Sequence, residues 1–181
     1  MTAQQVYDFW FDPANKPCWF RSTEEFDQQI RVQFEPTWRA ARDDLLRDWE
    51  STSTNALALV IVLDQFPLNM FRDQALSFST EEQSRKVALR AIERGFDQQL
   101  KTPAEKAFMY LPFMHSEDLV DQDRSIALFT AADMNDNLRW ARHHKGIVQR
   151  FGRFPHRNAV LGRENTPDEH AWLVSEQAFH G

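Results

Sequence analysis

Apolar residues recur at helical spacing along much of the chain. In residues 23–49 apolar side chains return every three or four positions, as on the buried face of an amphipathic helix. Those positions are Phe26, Ile30, Phe34, Trp38, Ala41, Leu45 and Trp49. Pro36 must bend or divide this helix, because proline removes a backbone donor and crowds the preceding turn. The same spacing predicts a short helix over residues 4–11, which Pro13 ends.

Residues 56–63 are apolar on every side, which is typical of an element that is buried all round. Periodicity does not separate a buried helix from a buried strand here, but the capping residues at 51–55 and the helical surroundings favour a central helix. Asp64 then falls at its carboxyl end, where the helix dipole disfavours a carboxylate. A buried aspartate in that position needs a cation or several donors. We expect the next segment, 67–74, to form a turn that carries Arg72.

Capping signals predict several helix ends. Thr80 precedes two glutamates, a pattern typical of a helix start, and Gly95 has the position of a left-handed stop after a helix. The strings T-P-A-E at 102–105 and T-P-D-E at 166–169 are capping boxes with proline at the first helical position. The second box predicts a terminal helix that ends near Phe179.

Polar residues interrupt the apolar pattern after the helix that follows the first capping box. Pro112 is expected to bend this helix just before His115, so that the histidine lies close to the core. His115 opens the run H-S-E-D, and Glu117 and Asp121 fall at a spacing that can share one helical face. A new helix is expected to begin near Leu119.

Residues 136–151 form the next predicted helix. Its apolar stripe contains Trp140, His144, Ile147 and Phe151. This stripe places His144 on the buried side and His143 nearer to solvent. We therefore expect His115 and His144 to be partners at one buried polar centre, close to the carboxylates that follow His115.

Composition narrows the fold to helices. The 181 residues suit one domain, so the prediction is a single all-α domain over residues 1–181, built as an array of antiparallel helices. Fifteen Phe and six Trp supply a large aromatic core. Five Gly leave little room for tight hairpins or glycine-rich phosphate loops.

Charge is unevenly distributed in a chain whose net charge is −6. Residues 139–163 contain seven Arg or Lys and no acidic residue, which indicates a local basic site on an acidic body and argues against nucleic-acid binding. Cys18 stands alone, so no intrachain disulfide is expected. The N-terminus lacks a signal-peptide pattern and residues 56–63 are too short to span a bilayer. We expect a soluble cytoplasmic protein without a membrane partner, and the sequence leaves its oligomeric state open.

The candidate chemistry is concentrated in residues 150–163, which read R-F-G-R-F-P-H-R-N-A-V-L-G-R. Guanidinium groups held among aromatic and aliphatic residues are typical of anion recognition or of pairing with buried carboxylates. We expect an arginine of this segment to pair with Asp64. The ligand-binding candidates are Asp64, Arg72, Arg150, Arg153, His156, Arg157 and Asn158.

Three strings give the chain a family resemblance: L-D-Q-F-P at 63–67, Y-L-P-F at 110–113 running into H-S-E-D-L, and F-G-R-F-P-H-R-N at 151–158. With the N-terminal F-W-F, they resemble the bacterial family catalogued as domain of unknown function 924 over nearly the whole chain. The resemblance implies a tetratricopeptide-like superhelix of packed helices, and it implies no activity. Two residues depart from the family pattern, since Leu68 stands in place of the usual arginine and Asn165 in place of serine.

Three functional hypotheses are open at this point. In the first, a basic Arg/His cleft binds a small anionic ligand or an acidic peptide. In the second, the protein is an enzyme with a His/carboxylate centre that a metal could join. The catalytic candidates are His115, Glu117, Asp121 and His144. No known metal or nucleophile motif is present, so no cofactor or metal ligand is assigned. In the third, the polar residues form a structural network in a protein-interaction scaffold.

Overall fold

The chain is helical in a computed structural model that describes residues 1–176 and 178. That part of the chain contains eight α-helices, short 3-10 segments and no strand, which confirms the all-α prediction. The helices are α1 Ala3–Phe11, α2 Glu24–Arg42, α3 Ser53–Met70, α4 Glu81–Glu93, α5 Pro103–Met114, α6 Leu119–Ala131, α7 Asn135–Phe151 and α8 Pro167–Leu173. Within the same residues, no helix combines the length and the apolar character that crossing a bilayer demands.

Helix α2 continues through Pro36 and is not divided there. The proline frees the carbonyl of Val32, a residue exposed to solvent, so water can replace the lost donor. The helix stops at Arg42, earlier than the apolar spacing predicts, because Asp44 adopts a left-handed conformation with φ 64°. Leu45 consequently leaves the stripe and is 71 % exposed, which corrects its assignment to the buried face.

Helix α3 is buried along almost its whole length, as its apolar sequence predicts. It continues through Pro67 to Met70, so the turn predicted over 67–74 begins only at Phe71, and Arg72 lies within it. Asp64 is therefore inside the helix and not at its end, although its burial is confirmed at 1 % exposure.

Thr80 explains how α3 tolerates its proline. Pro67 has no N–H to give to the carbonyl of Leu63, one turn earlier. The Thr80 hydroxyl donates to the Leu63 carbonyl at 2.6 Å. The hydroxyl oxygen of Thr80 also accepts a hydrogen bond from Trp38 Nε1 at 3.1 Å. Thr80 occupies the N-cap position of α4 as predicted, but its side chain makes no capping bond because the hydroxyl is used in this contact.

The remaining boundaries follow the capping signals closely. Gly95 is left-handed at φ 70°, and its N–H and that of the next residue bond to the last turn of α4. The capping box at Thr166 is confirmed, with both reciprocal bonds present. Helix α8 nevertheless ends at Leu173, not near Phe179, and Phe179 itself lies outside the described residues.

Contacts divide the chain into two compact units. Unit 1 comprises residues 1–72 and 76–112, and unit 2 comprises residues 73–75 with the described residues from 113 onward. The interior of unit 1 is aromatic: the fully buried Trp10 lies 5.3 Å from Phe108, measured between ring centroids. Unit 2 has a smaller apolar cluster near its carboxyl end. Its members are Ile147, Val148, Phe154 and Trp172, with Phe151 and Leu173 packed against them.

Candidate functional site

The arginine-rich segment 150–163 begins where α7 ends. Gly152, left-handed at φ 72°, turns the chain out of the helix, and its N–H bonds to the carbonyl of Val148. Phe154 then returns to the core, and a 3-10 turn follows at Pro155–Arg157. The segment is thus a folded hook, in which short turns fix the direction of each arginine.

Arg150 and Arg153 bind the first turn of α8. Arg150 lies 2.6 Å from Asp168, and Arg153 donates to both carboxylate oxygens of Glu169 at 2.6 and 2.8 Å. Glu169 is buried, and Arg153 lowers the pKa of its carboxyl to about 2 against the opposing effect of burial. These side chains line an open pocket of about 440 Å³ together with Phe151 and Thr166.

Arg163 and Glu117 form a second clamp. The two guanidinium nitrogens of Arg163 donate to the two oxygens of Glu117 at 2.7 and 2.9 Å, a bidentate arrangement. The Phe154 N–H also donates to Glu117 at 2.8 Å. Burial raises the pKa of Glu117, but these donors outweigh it and hold the pKa below the ordinary value. Glu117 precedes α6, so its predicted position on one helical face with Asp121 is wrong.

Phe154 is the centre of a group of polar rings and charges that we call the Phe154 cluster, comprising His144, Phe154, His156 and Arg157. Ring centroids of His144 and His156 lie 5.6 and 5.5 Å from that of Phe154. The Arg157 guanidinium lies 4.8 Å over the Phe154 ring, in cation–π contact, and Arg157 is only 7 % exposed. The cluster brings together three of the residues that the sequence nominated.

His144 is buried, as its helical position predicts, whereas Trp140 from the same predicted stripe is 45 % exposed. Its Nδ1 lies 2.9 Å from the carbonyl of Trp140. A carbonyl only accepts, so Nδ1 carries the proton and Nε2 keeps its lone pair in the neutral ring. Burial is the main reason that the pKa of His144 falls to about 4; the hydrogen bond to the Trp140 carbonyl opposes this shift, and the nearby His115, His143 and Arg157 add to it.

The other catalytic candidates lie around the start of α6. His115 is half-buried, and its pairing with His144 stays a prediction. Asp121 accepts from Ser116 at 2.8 Å and pairs with Arg124 at 3.3 Å. No group of three or more His, Cys, Asp or Glu that could hold a metal ion occurs in residues 1–176 and 178.

Two buried residues of α6 complete the polar interior of unit 2 and were not nominated from the sequence. Gln122 donates to the carbonyls of Met114 and Ser116, both at 2.7 Å, and so caps the end of α5. Its Oε1 and the Oγ of Ser125 are buried and have no hydrogen-bond partner among the residues that the structure describes. The available signal was their spacing with Phe129, which places polar side chains on a core-facing stripe.

The remaining candidates have local partners. Asn158 is fully buried and donates to Asn165 Oδ1 at 2.7 Å, so the departure from serine at 165 is accommodated. In unit 1, Asp64 accepts from Gln65 at 2.6 Å, and Arg72 pairs with Asp27 at 2.8 Å. The predicted pairing of Asp64 with an arginine of the 150–163 segment stays a prediction.

One family model and one solved structure match nearly the whole chain. The family model described as "Bacterial protein of unknown function (DUF924)" matches residues 6–177. A solved structure of a protein of unknown function from Agrobacterium tumefaciens is similar, with 39 % sequence identity and a TM-score of 0.90. The similarity covers 95 % of this chain and 96 % of that one. No curated protein matches the chain.

Proposed function

We propose, on the premise that the chain belongs to the DUF924 family of bacterial proteins of unknown function, that unit 2 binds a small anionic ligand at the Phe154 cluster. The observation that carries the proposal is the buried guanidinium of Arg157, which lies 4.8 Å from the centroid of the Phe154 ring, with the imidazoles of His144 and His156 beside the same ring. An anion beside these groups gains Coulomb energy from a partly desolvated site.

Arg157 supplies the recognition chemistry in this proposal. Its guanidinium is buried and in contact with the Phe154 ring, so little side-chain freedom is lost when a carboxylate or phosphate binds. His156, half-buried beside the same ring, supplies a second donor. The other arginines of the segment have a structural role in this proposal. Each forms an ion pair with a carboxylate of unit 2 and so stabilises the conformation of residues 150–163; they are Arg150, Arg153 and Arg163.

The experiment is a thermal-shift screen against inorganic phosphate, nucleotides and small di- and tricarboxylates. A binding anion at about 100 times its dissociation constant adds about 2.7 kcal/mol of apparent stability. We expect affinity to rise as the pH falls from about 7 to 5, because a bound anion raises the pKa of His144 and favours its protonated form.

Variants separate recognition from scaffold. His156→Asn removes the imidazole without emptying the core, and Arg157→Gln removes the guanidinium; both should weaken or abolish the thermal shift. Arg150→Gln is the matched control, since it deletes an equal charge from an exposed pair and should leave the shift unchanged. The proposal would be overturned if no anion of the panel raised the thermal midpoint, or if Arg150→Gln reduced the thermal shift as much as the two test variants.

A second function, acid–base catalysis, is favoured by the tautomer of His144. Because Nδ1–H is committed to the Trp140 carbonyl, Nε2 is the basic atom of the neutral ring. A pKa of about 4 makes this base weak at neutral pH, and a bound anion would move its pKa towards the useful range. The test is a substrate screen on the wild-type protein. If a turnover is found and His144→Gln abolishes it while anion binding is retained, the result supports catalysis over binding alone.

The expected setting of the protein is part of the same proposal. A cytoplasmic location agrees with the free thiol of Cys18. The tetratricopeptide-like arrangement agrees with the all-helical fold. A net charge of −6 continues to disfavour a nucleic-acid partner.

A further inference from the structure

Helix α7 has two faces of opposite character. Its inward face is formed by Leu138, Ala141, His144, Ile147 and Val148, all buried. Its outward face is exposed and repeats every three or four residues. After the first turn, where Asn135 and Asp136 are also exposed, the exposed positions are Arg139, Trp140, Arg142, His143, Gly146, Gln149 and Arg150. We call this exposed set the α7 surface.

Positive charge predominates on the α7 surface, since residues 139–163 include no acid and the single acid of α7 is Asp136 in its first turn. Arg139 and Arg142 form no ion pair with the residues that the structure describes. Arg139 instead lies 5.8 Å from the ring centroid of the exposed Trp140. A solvated basic face needs no large aromatic residue at its centre, whereas Trp and Arg are the types that anchor protein interfaces.

Gly146 is the second unusual feature of this surface. Glycine destabilises a helix interior relative to alanine, and Gly146 lies in the interior of α7. A Cβ added there meets no heavy atom within 4 Å, so packing within the described chain does not require glycine. Its lack of a side chain leaves a notch between Arg142 and Arg150, through which another backbone can come close to the helix.

We propose that the α7 surface docks an acidic helical segment of a partner protein. Arg139 and Arg142 pair with its carboxylates, Trp140 packs on its apolar side chains and Gly146 admits its backbone. Charge complementarity selects this occupant. A nucleic acid is less suited, because the chain as a whole is acidic and the surface offers few cations to a phosphate backbone. The site is separate from the Phe154 cluster, which lies on the buried side of α7.

The test uses a fluorescein-labelled, alanine-based helical peptide of about 15 residues with glutamates four residues apart, in fluorescence anisotropy. We expect binding that weakens as the salt concentration rises from about 50 to 300 mM. Arg139→Glu with Arg142→Glu should weaken binding at least about tenfold. Gly146→Gln should raise the thermal midpoint by about 2 °C and still weaken binding, because it fills the notch. Unchanged binding in Gly146→Gln would overturn the close approach.

The charge-matched control is Arg21→Glu with Lys101→Glu, two exposed cations of unit 1 whose loss changes the net charge equally. Retained binding in this control supports the proposal, and an equal loss overturns it in favour of nonspecific attraction. Absence of peptide binding also overturns it. Two further results reassign the surface and overturn the proposal. The first is self-association of the chain that is abolished in the Arg139→Glu, Arg142→Glu double variant. The second is tighter binding of duplex DNA than of the peptide.

Discussion

The two units hold themselves together by different means. Unit 1 is organised around buried rings, with Trp10 packed against Phe66 and Phe108. Unit 2 is organised around charged clamps, such as Arg153 with Glu169 and Arg163 with Glu117. Aromatic packing does not titrate in acid, whereas carboxylate clamps do. This contrast supports the proposal that the ligand site lies in unit 2, where polar groups interrupt the core.

The largest expected effect tests the aromatic side of this comparison. Trp10→Ala should destabilise the protein by about 3–5 kcal/mol, because it removes a fully buried ring and leaves a cavity. Urea unfolding measures the loss, and Val32→Ala, at an exposed position, is the control with a change near zero. A loss below about 1 kcal/mol would show that unit 1 does not depend on its rings.

The next largest effect is a loss of folding stability in acid that comes from the buried His144. His144 has a pKa of about 4 in the folded protein against an ordinary 6.5, so the unfolded state binds more protons between those values. Stability therefore falls as the pH falls from 6.5 to 4, by at most about 3 kcal/mol. Urea unfolding of His144→Asn at pH 7.5 and 5 should lack this component, whereas His143→Asn, at an exposed position, should keep it. An equal pH slope in wild type and His144→Asn would contradict a buried neutral imidazole.

A smaller effect isolates one clamp. Glu169→Gln keeps the capping geometry of α8 but removes the charge that Arg153 holds, and should cost about 1–2 kcal/mol at pH 7. The difference from wild type should disappear as the pH falls from 4.5 to about 2, where the native carboxyl gains its proton. Asp168→Asn is the control, because its pair with Arg150 is exposed and should contribute less than about 1 kcal/mol.

The smallest expected effects are two changes in stability of opposite sign, at a glycine inside α7 and at the glycine that caps it. Gly152→Ala should destabilise by about 1 kcal/mol, since its φ of 72° is strained for alanine. Gly146→Ala should stabilise by about 0.5–1 kcal/mol, because the added methyl group meets open space. Thermal unfolding of both variants decides the matter, and two changes of the same sign would refute the account of α7.

Local rules predicted much of the fold. Helix starts with a capping box and stops with a left-handed glycine were predicted to within a residue, because the neighbouring backbone decides them. Long-range contacts decided the exceptions. The turn predicted at Pro67 is helix, because a hydroxyl far along the chain supplies the missing donor. Trp140 is exposed although its spacing favours burial, because spacing gives a face only to within about one residue.

The candidate site was predictable in kind but not in its partners. Dense arginines among aromatic residues indicated held guanidinium groups, and four of them are in contact with carboxylates or a ring. That Glu117 and Glu169 are the carboxylates of two clamps depends on how the hook folds, which no spacing in the sequence specifies. Buried Gln122 and Ser125 were overlooked because amide and hydroxyl side chains are common on exposed helix faces too.

The bond between Thr80 and the Leu63 carbonyl has a consequence for how the sequence can vary. Proline at 67 depends on a hydroxyl at 80, because that hydroxyl supplies the hydrogen bond to the Leu63 carbonyl that proline does not make. A relative with alanine at 67 has its own amide to offer to the Leu63 carbonyl, and the hydroxyl at 80 is then needed only as the acceptor for Trp38 Nε1. A relative that keeps proline and acquires valine at 80 buries a carbonyl with no donor. Loss of the hydroxyl at 80 should therefore destabilise the protein more beside proline at 67 than beside alanine, so that substitutions at the two positions are epistatic.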